Sequence, residues 1–328
     1  MKKFLTLLLL LVLPISFALS GCGNETKTPD APAKVSLGLL RLTSSAPLFL
    51  AMEKGYFREV GIEIEPVWFD AAQPIAVAAA SSDIDVGATG ITAGLYNMAA
   101  KGQAIRLVAD KGREQKGFPS SALLASTAPG APASIDDLRG KRIGLTQRGS
   151  TYEYMLGRLL ETRGLSLDDV TLVPLGKLSA VIAALESRQI DACILNEPNV
   201  THVQKSGSGR LITQIGDIIP YQTSAVFYSP KFQKRKDIAD RFLTAYQRAC
   251  RAYYKAVVEK EDPETLATLV AVIAKYTNAP EDDIRAALPY IDKDGNLLAG
   301  DIETQIKWYR AHGLLEGNLT AADVVRGR

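Results

Sequence analysis

The stretch Gly144-Leu-Thr-Gln-Arg-Gly149-Ser-Thr-Tyr152 has the residue types needed to hold an anion: an apolar strand end, a glycine that lets backbone approach closely, and two hydroxyls opening a helix. A helix N-terminus leaves N–H groups without intrahelical partners and carries partial positive charge, so Gly149, Ser150 and Thr151 can hold an anionic group or a carbonyl oxygen. Ser150 serves equally as a plain helix cap, and both readings stand at this point. The spacing narrowly misses the phosphate loop G-x-x-x-x-G-K-[ST], because Ser150 occupies the lysine position. That lysine reaches the terminal phosphates, so the motif supports oxyanion binding and not nucleotide hydrolysis.

Other polar side chains fall where strands should give way to loops, the edge at which open α/β sheets bind ligands. These are Thr43, Ser44 and Ser45; Thr89, Gly90 and Thr92; Asn196 and Glu197; and Tyr221. Each hydroxyl also fits a helix cap, and Asn196 with Glu197 ahead of Pro198 also reads as a helix start. Arg41 and Arg148 offer bidentate contacts to an oxyanion, or lie in solvent as loop arginines usually do. Tyr152, Tyr154, Tyr221 and Phe118 can stack on an organic ligand or pack in the core.

Composition argues against several function classes. No CxxC or HExxH occurs, and only His202 and His312 are present, so zinc and haem sites are not expected and no cofactor is called for. Cys193 and Cys250 sit inside apolar or helical runs without motif spacing and read as buried core thiols, with a disulfide between them as the alternative. Asp292-Lys-Asp294-Gly-Asn296 with Glu303 has partial calcium-loop spacing, but Leu297 stands where that loop needs its glycine, so a surface turn is preferred. With neither a Ser-His-Asp spacing nor a cysteine-rich motif, the chain is not expected to be an enzyme.

The elements that must position these groups begin after a leader. Lys2 and Lys3 precede an apolar run from Phe4 to Leu19 that is too short to span a bilayer and carries Pro14, the form of a secretory signal. It ends at Leu19-Ser20-Gly21-Cys22, which resembles the lipobox of bacterial lipoproteins. Residues 1–21 are therefore expected to be removed and Cys22 to be lipidated, a two-signal anchor on the outer side of the cytoplasmic membrane or in the periplasm. Removal takes Lys2 and Lys3 from the 38 basic side chains and none of the 36 acidic ones, leaving the two in balance. No basic face for nucleic acid is indicated. Residues 22–34, polar and carrying Pro29 and Pro32, read as a tether.

Beyond it strand-like and helix-like segments alternate, the pattern of α/β layers. Val35–Leu40, Val60–Val67, Ile84–Gly87 and Ala104–Ala109 read as strands, with helices over Ala46–Phe57, Gln73–Ala80 and Ile91–Ala100 between them. A second α/β unit starts near Ser134, where Ser134-Ile-Asp-Asp137 offers a capped helix stopped by Gly140. Strands at Lys141–Leu145, Val170–Pro174 and Ile190–Leu195 follow, with helices at Ser150–Arg163 and Leu178–Ser187. After Asp237 the spacing is mostly helical, over Lys236–Val258, Asp262–Tyr276, Pro280–Leu288 and Ile302–Ala311.

These segments resemble a known family in order along the chain. Ala46-Pro-Leu-Phe-Leu-Ala-Met-Glu-Lys-Gly-Tyr-Phe57, Val60-Gly-Ile-Glu-Ile-Glu65, Asp83-Ile-Asp-Val-Gly87, Asp137-Leu-Arg-Gly-Lys-Arg-Ile-Gly144, Asn196-Glu-Pro198 and Trp308-Tyr-Arg-Ala-His-Gly-Leu-Leu315 are similar to blocks of the nitrate, sulfonate and taurine branch of periplasmic-binding-protein-like type II proteins. That branch also holds thiamine-precursor-binding proteins. The resemblance implies an α/β fold of two lobes joined by two crossing strands, placed at Ser121–Ser126 and Ser224–Tyr228, with a helical C-terminal part. Lobe one would comprise 35–122 plus 227–328 and lobe two 123–226. It further implies a monomeric receptor of an ABC importer that closes around a small organic anion and docks on permease subunits. A neutral pyrimidine is the alternative ligand, and a sensor for a membrane kinase or a pyrimidine-synthase-like enzyme the alternatives of another class.

Overall fold

Apolar and β-branched runs pair as ten strands in two five-stranded sheets in the computed structural model, which describes residues 31–326. The expected leader 1–21, Cys22 and most of the expected tether 22–34 lie outside the described residues. The first half of the chain runs β1 (Ala33–Leu39), α1 (Ala46–Glu53), α2 (Tyr56–Glu59), β2 (Ile62–Trp68), α3 (Ala72–Ala80), β3 (Val86–Gly90), α4 (Ala93–Ala100) and β4 (Arg106–Glu114). Next come β5 (Ser121–Ser126), β6 (Arg142–Leu145), α5 (Thr151–Glu161), β7 (Thr171–Pro174), α6 (Leu178–Glu186), β8 (Ala192–Asn196), α7 (Asn199–Lys205) and β9 (Gly209–Gln214). The chain then returns through β10 (Tyr221–Tyr228) to α8 (Lys236–Val257), α9 (Pro263–Thr277), α10 (Glu281–Ala286), α11 (Ala299–Ala311) and α12 (Ala321–Val324).

Both sheets repeat one arrangement. In the first, ordered β2-β1-β3-β10-β4, β1 runs parallel to β2 and β3 while β10 is antiparallel to β3 and β4. In the second, ordered β7-β6-β8-β5-β9, β6 is parallel to β7 and β8 while β5 is antiparallel to β8 and β9. The inserted antiparallel strand is in each case the one that arrives directly from the other sheet. The passages between sheets are residues 115–120 and 215–220, so β5 belongs wholly to the second sheet and β10 to the first. They meet where Gly216 lies against Gln115: a Cβ there would stand 2.7 to 2.8 Å from the backbone N, C and O of Gln115.

Several elements depart from the spacing, each for a local reason. The expected helix Ala46–Phe57 is two helices, because Gly55 adopts the left-handed conformation that ends a helix (φ 76°). Ser134–Asp137 forms only a 3-10 turn at Asp136–Leu138. There the Asp137 carboxylate folds back to accept the amides of Ala133 and Ser134, both at 3.0 Å, and closes the segment on itself. The strand expected over Ala104–Ala109 continues to Glu114, because the partners of its charged residues come from distant parts of the chain. β1 begins at Ala33, so Ala33 and Lys34, read as tether, already pair with Ile62 and Glu63.

Helices cover the sheets where their apolar faces point. Phe49, Phe242, Tyr253 and Ile273 of α1, α8 and α9 form one cluster with the first sheet. A second runs from Ile75 and Tyr96 of α3 and α4 through α11 to Tyr154 and Leu159 of α5, joining the two halves behind the strands. At that seam the Trp308 indole lies over Gly157, whose missing Cβ would sit 2.3 Å from Cζ2, and Trp308 Nε1 donates to Glu161 at 2.6 Å. Val181, Leu185 and Val203 of α6 and α7 form a third cluster against the second sheet. Cys250 is buried in the first cluster and Cys193 in the third; both are free thiols, not partners in a disulfide. The Asp292 segment is a turn, in which Asp292 Oδ1 accepts the amides of Asp294 and Asn296 at 3.1 and 2.9 Å. Among the described residues no helix is long and apolar enough to cross a membrane.

Candidate functional site

The carboxyl ends of β1, β3, β6 and β8 point at one another across the space between the sheets, and the helices that follow them start there. A cavity of about 40 Å³ lies at this point. Of the residues read from sequence, Thr43, Ser44, Thr89, Gly90, Thr92, Ser150, Thr151, Tyr152, Asn196 and Glu197 line it. Both readings of the hydroxyls hold for two of them. Thr92 accepts the Leu95 amide at 3.2 Å and Ser150 the Glu153 amide at 3.3 Å, each as an N-cap, while each also faces the cavity.

The other candidates lie outside it. Arg41 donates to the carbonyl of Tyr276 at 2.7 Å and stacks 4.2 Å over Trp68. Arg148 pairs with the buried Glu153 at 2.8 Å with its own side chain 58% exposed. Ser45 donates to the Leu40 carbonyl at 3.3 Å. Gly149, at φ 71°, uses its N–H on Glu153 and its carbonyl on the Ala93 amide, so neither group faces a ligand. Tyr221 packs 5.1 Å from Tyr154 with its hydroxyl buried, and Phe118 sits edge-on to Tyr290.

Bonds across the cleft hold the two halves together at its rim. The Ala93 amide donates to Gly149 O at 2.9 Å, the Thr43 amide to Glu197 O at 3.3 Å, and Tyr309 Oη to Ser150 O at 3.4 Å. Lys205 pairs with Asp283 further out.

The group that sequence reasoning missed is Lys111. It lies near the end of β4, is 1% exposed, and lines the cavity together with Gln73, Ser120, Thr146, Gln147, Thr223 and Ser224. Its Nζ donates to Ser44 Oγ at 2.8 Å. Burial pushes the ammonium down to about 7, against the pull of neighbouring Asp110. Gly112 makes this convergence possible: at φ 150° it brings β4 so close that a Cβ would lie 3.2 Å from Ser44 Cβ and 3.4 Å from Ser224 Oγ. On β3 of the same sheet, Thr89 also lines the cavity, and its Oγ1 is buried without a hydrogen-bond partner among the described residues. A buried lysine, an unused hydroxyl and several helix N-termini together present donors of the kind that can hold a small anion.

Three residues beyond Lys111, the carboxyl of Glu114 spans the crossing. It accepts the Ser121 amide at 3.3 Å and the Ser121 hydroxyl from β5, and the Thr223 hydroxyl from β10 at 3.2 Å. Ser121 Oγ in turn accepts from Asn196 Nδ2 at 2.7 Å, and Asn196 Oδ1 accepts from Tyr152 Oη at 2.5 Å, so this chain of bonds reaches the cavity wall. Burial pushes Glu114 up to about 7 from an ordinary 4.5. Between those values the native chain holds a proton that the unfolded chain has lost, so this group's contribution to stability falls as pH rises through the window. Glu114→Gln, which mimics the protonated form, should therefore raise the melting temperature more at pH 8 than at pH 5. Equal shifts at the two pH values would refute the buried, proton-holding carboxyl.

The comparisons agree with this architecture. The NMT1/THI5 like family pattern matches residues 42–259. The chain is 27% identical over 246 residues to a Bacillus subtilis (strain 168) protein provisionally named aliphatic sulfonates-binding protein, covering 74% of this chain and 72% of that one. The alkanesulfonate-binding protein SsuA from Xanthomonas axonopodis pv. citri, solved bound to MOPS, superposes with a TM-score of 0.74 at 21% identity, over 90% of this chain and 98% of that one. The periplasmic nitrate-binding protein NrtA from Synechocystis PCC 6803 superposes at 0.68 with 15% identity, over 90% and 86%. The fold is that of periplasmic binding proteins, with two mixed five-stranded sheets and C-terminal helices. With its pattern matched over well more than half of the sequence, the chain belongs to the NMT1/THI5-like family.

Proposed function

We propose that this chain is the extracytoplasmic solute receptor of an ABC importer and that it captures a small organic anion between its two sheets. The observation that carries this reading is Lys111, a buried lysine whose Nζ faces a cavity of hydroxyls, amides and helix N-termini. The sulfonate- and nitrate-binding names of the relatives support it. Arg41 and Arg148, engaged elsewhere, are not needed for charge.

In this reading each sheet with its helices is a lobe, divided at the 115–120 and 215–220 passages rather than at the 122/123 and 226/227 boundaries expected from the sequence, because β5 pairs wholly within the second sheet and β10 within the first, and the bonds across the rim are those of a closed form. Closure would require the 115–120 and 215–220 passages to absorb the backbone change. The closed receptor then delivers its solute to permease subunits as a monomer tethered through Cys22.

A thermal-shift screen of residues 23–328 against alkanesulfonates, nitrate, aromatic carboxylates and pyrimidine precursors tests this. A ligand at 100 times its dissociation constant stabilises by about 2.7 kcal/mol. Shifts confined to anions are expected. A shift with a neutral pyrimidine alone would replace the anion reading, and no shift with any class would move weight to a sensor or another solute.

A further inference from the structure

We infer that the site takes up its ligand together with a proton: Lys111 is a neutral amine in the empty receptor and becomes an ammonium as the anion arrives. This rests on the anion-binding reading above and concerns the regulation of the same site. An ammonium has three donors to satisfy, and among the described residues Lys111 Nζ has one hydrogen-bond partner, Ser44 Oγ, and no carboxylate oxygen within ion-pair distance. Withdrawn from water to 1% exposure, a charge so poorly matched is costly, and shedding the proton is the ordinary escape.

The charged and titratable groups nearby do not relieve that cost. Asp110, next along β4, directs its carboxylate to Gln222 at 2.5 Å, the Asp292 amide at 2.7 Å and the Gly112 amide at 2.9 Å, with Arg113 at 3.6 Å. Glu114 is held by Ser121 and Thr223. Glu197, on the facing wall, gives Oε2 to the Thr201 amide at 3.0 Å and is itself raised by burial, which favours its neutral form. Tyr152 is occupied by Asn196, and burial raises it far from ionisation. Asp110 alone pulls the lysine toward its charged form, and burial outweighs it, leaving the amine near 7.

An anion seated against Nζ supplies the missing partner. One proton from solvent then adds to the amine lone pair, and no bond in the ligand breaks. Affinity should fall about tenfold per pH unit above the empty-site midpoint, until the midpoint of the occupied site is reached. The coupling would bind solute tightly in an acidic exterior and loosen it where pH is higher.

Lysine side-chain NMR with 13Cε label on residues 23–328, titrated from pH 6 to 11 with and without ethanesulfonate, reads this directly. One resonance, absent from Lys111→Met, should titrate near 7 in the empty protein and move up by at least a unit with ethanesulfonate. Uniformly high lysine midpoints in the empty protein would overturn the proposal, as would a low midpoint that ethanesulfonate leaves unmoved. Calorimetry on the same samples separates the parent reading. Equal ethanesulfonate affinity in wild type and Lys111→Met would sink anion anchoring by Lys111, whereas a wild-type-only affinity without a midpoint shift sinks proton uptake alone.

Discussion

Lys111→Met is expected to weaken binding of any anion the receptor accepts by at least about 30-fold. Removing one member of a buried, hydrogen-bonded charge pair costs about 2–5 kcal/mol, and no other cation lines the cavity among the described residues. The same variant should stabilise the empty protein. Lys111 has a folded value near 7 against an ordinary 10.5, so between those values the unfolded chain holds a proton the native chain lacks. Its contribution therefore rises with pH across that window, and its penalty is fully present below it. The melting temperature of Lys111→Met should exceed wild type by several degrees at pH 6 and converge with it toward pH 10. Isothermal titration and melting curves check the two halves of this expectation on one preparation. A receptor that keeps its affinity without Lys111 would show that the anion sits elsewhere.

Gly216→Val is expected to cost about 3 kcal/mol, or about 5–10 °C in melting temperature. The reason is steric and specific to the crossing. The atoms that meet the new side chain are the backbone N, C and O of Gln115, which cannot rotate away as a side-chain end would. Because each passage joins the two sheets, relief requires the halves to shift relative to one another. Gly300→Ala is the matching control, since no atom lies within 4 Å of its added Cβ. A Gly216→Val protein that melts with wild type would show that the passages do not press on each other in solution.

Much of the scaffold was legible because its signals are local. Apolar runs such as Val35–Leu40 and Ile190–Leu195 mark buried strands, and the hydroxyls just after them fall at the carboxyl edge that faces the cleft. That is why ten of the fifteen binding candidates line the cavity. What failed depended on contacts far apart in sequence. Arg41 meets Tyr276, 235 residues away, and nothing near Arg41 signals that its charge is already engaged.

Lys111 was hidden for the converse reason. Asp110-Lys-Gly-Arg-Glu114 reads as a polar loop, yet it is strand, since Gln222, the Asp292 amide, Thr223 and Ser121 satisfy its carboxylates. β9 escaped because its burial is slight, with Arg210 and Leu211 both exposed, so no periodicity marks it. Gly112 and Gly216 were plain in the sequence as glycines, but only the approach of Ser44 and of the Gln115 backbone gives them meaning.

The most direct test is a crystal structure of residues 23–328 with the tightest-binding anion from the ligand screen. The account predicts an anionic oxygen within hydrogen-bond distance of both Lys111 Nζ and Thr89 Oγ1, enclosed between the two sheets. An anion bound outside that cavity, with Lys111 still bonded only to Ser44, would contradict it.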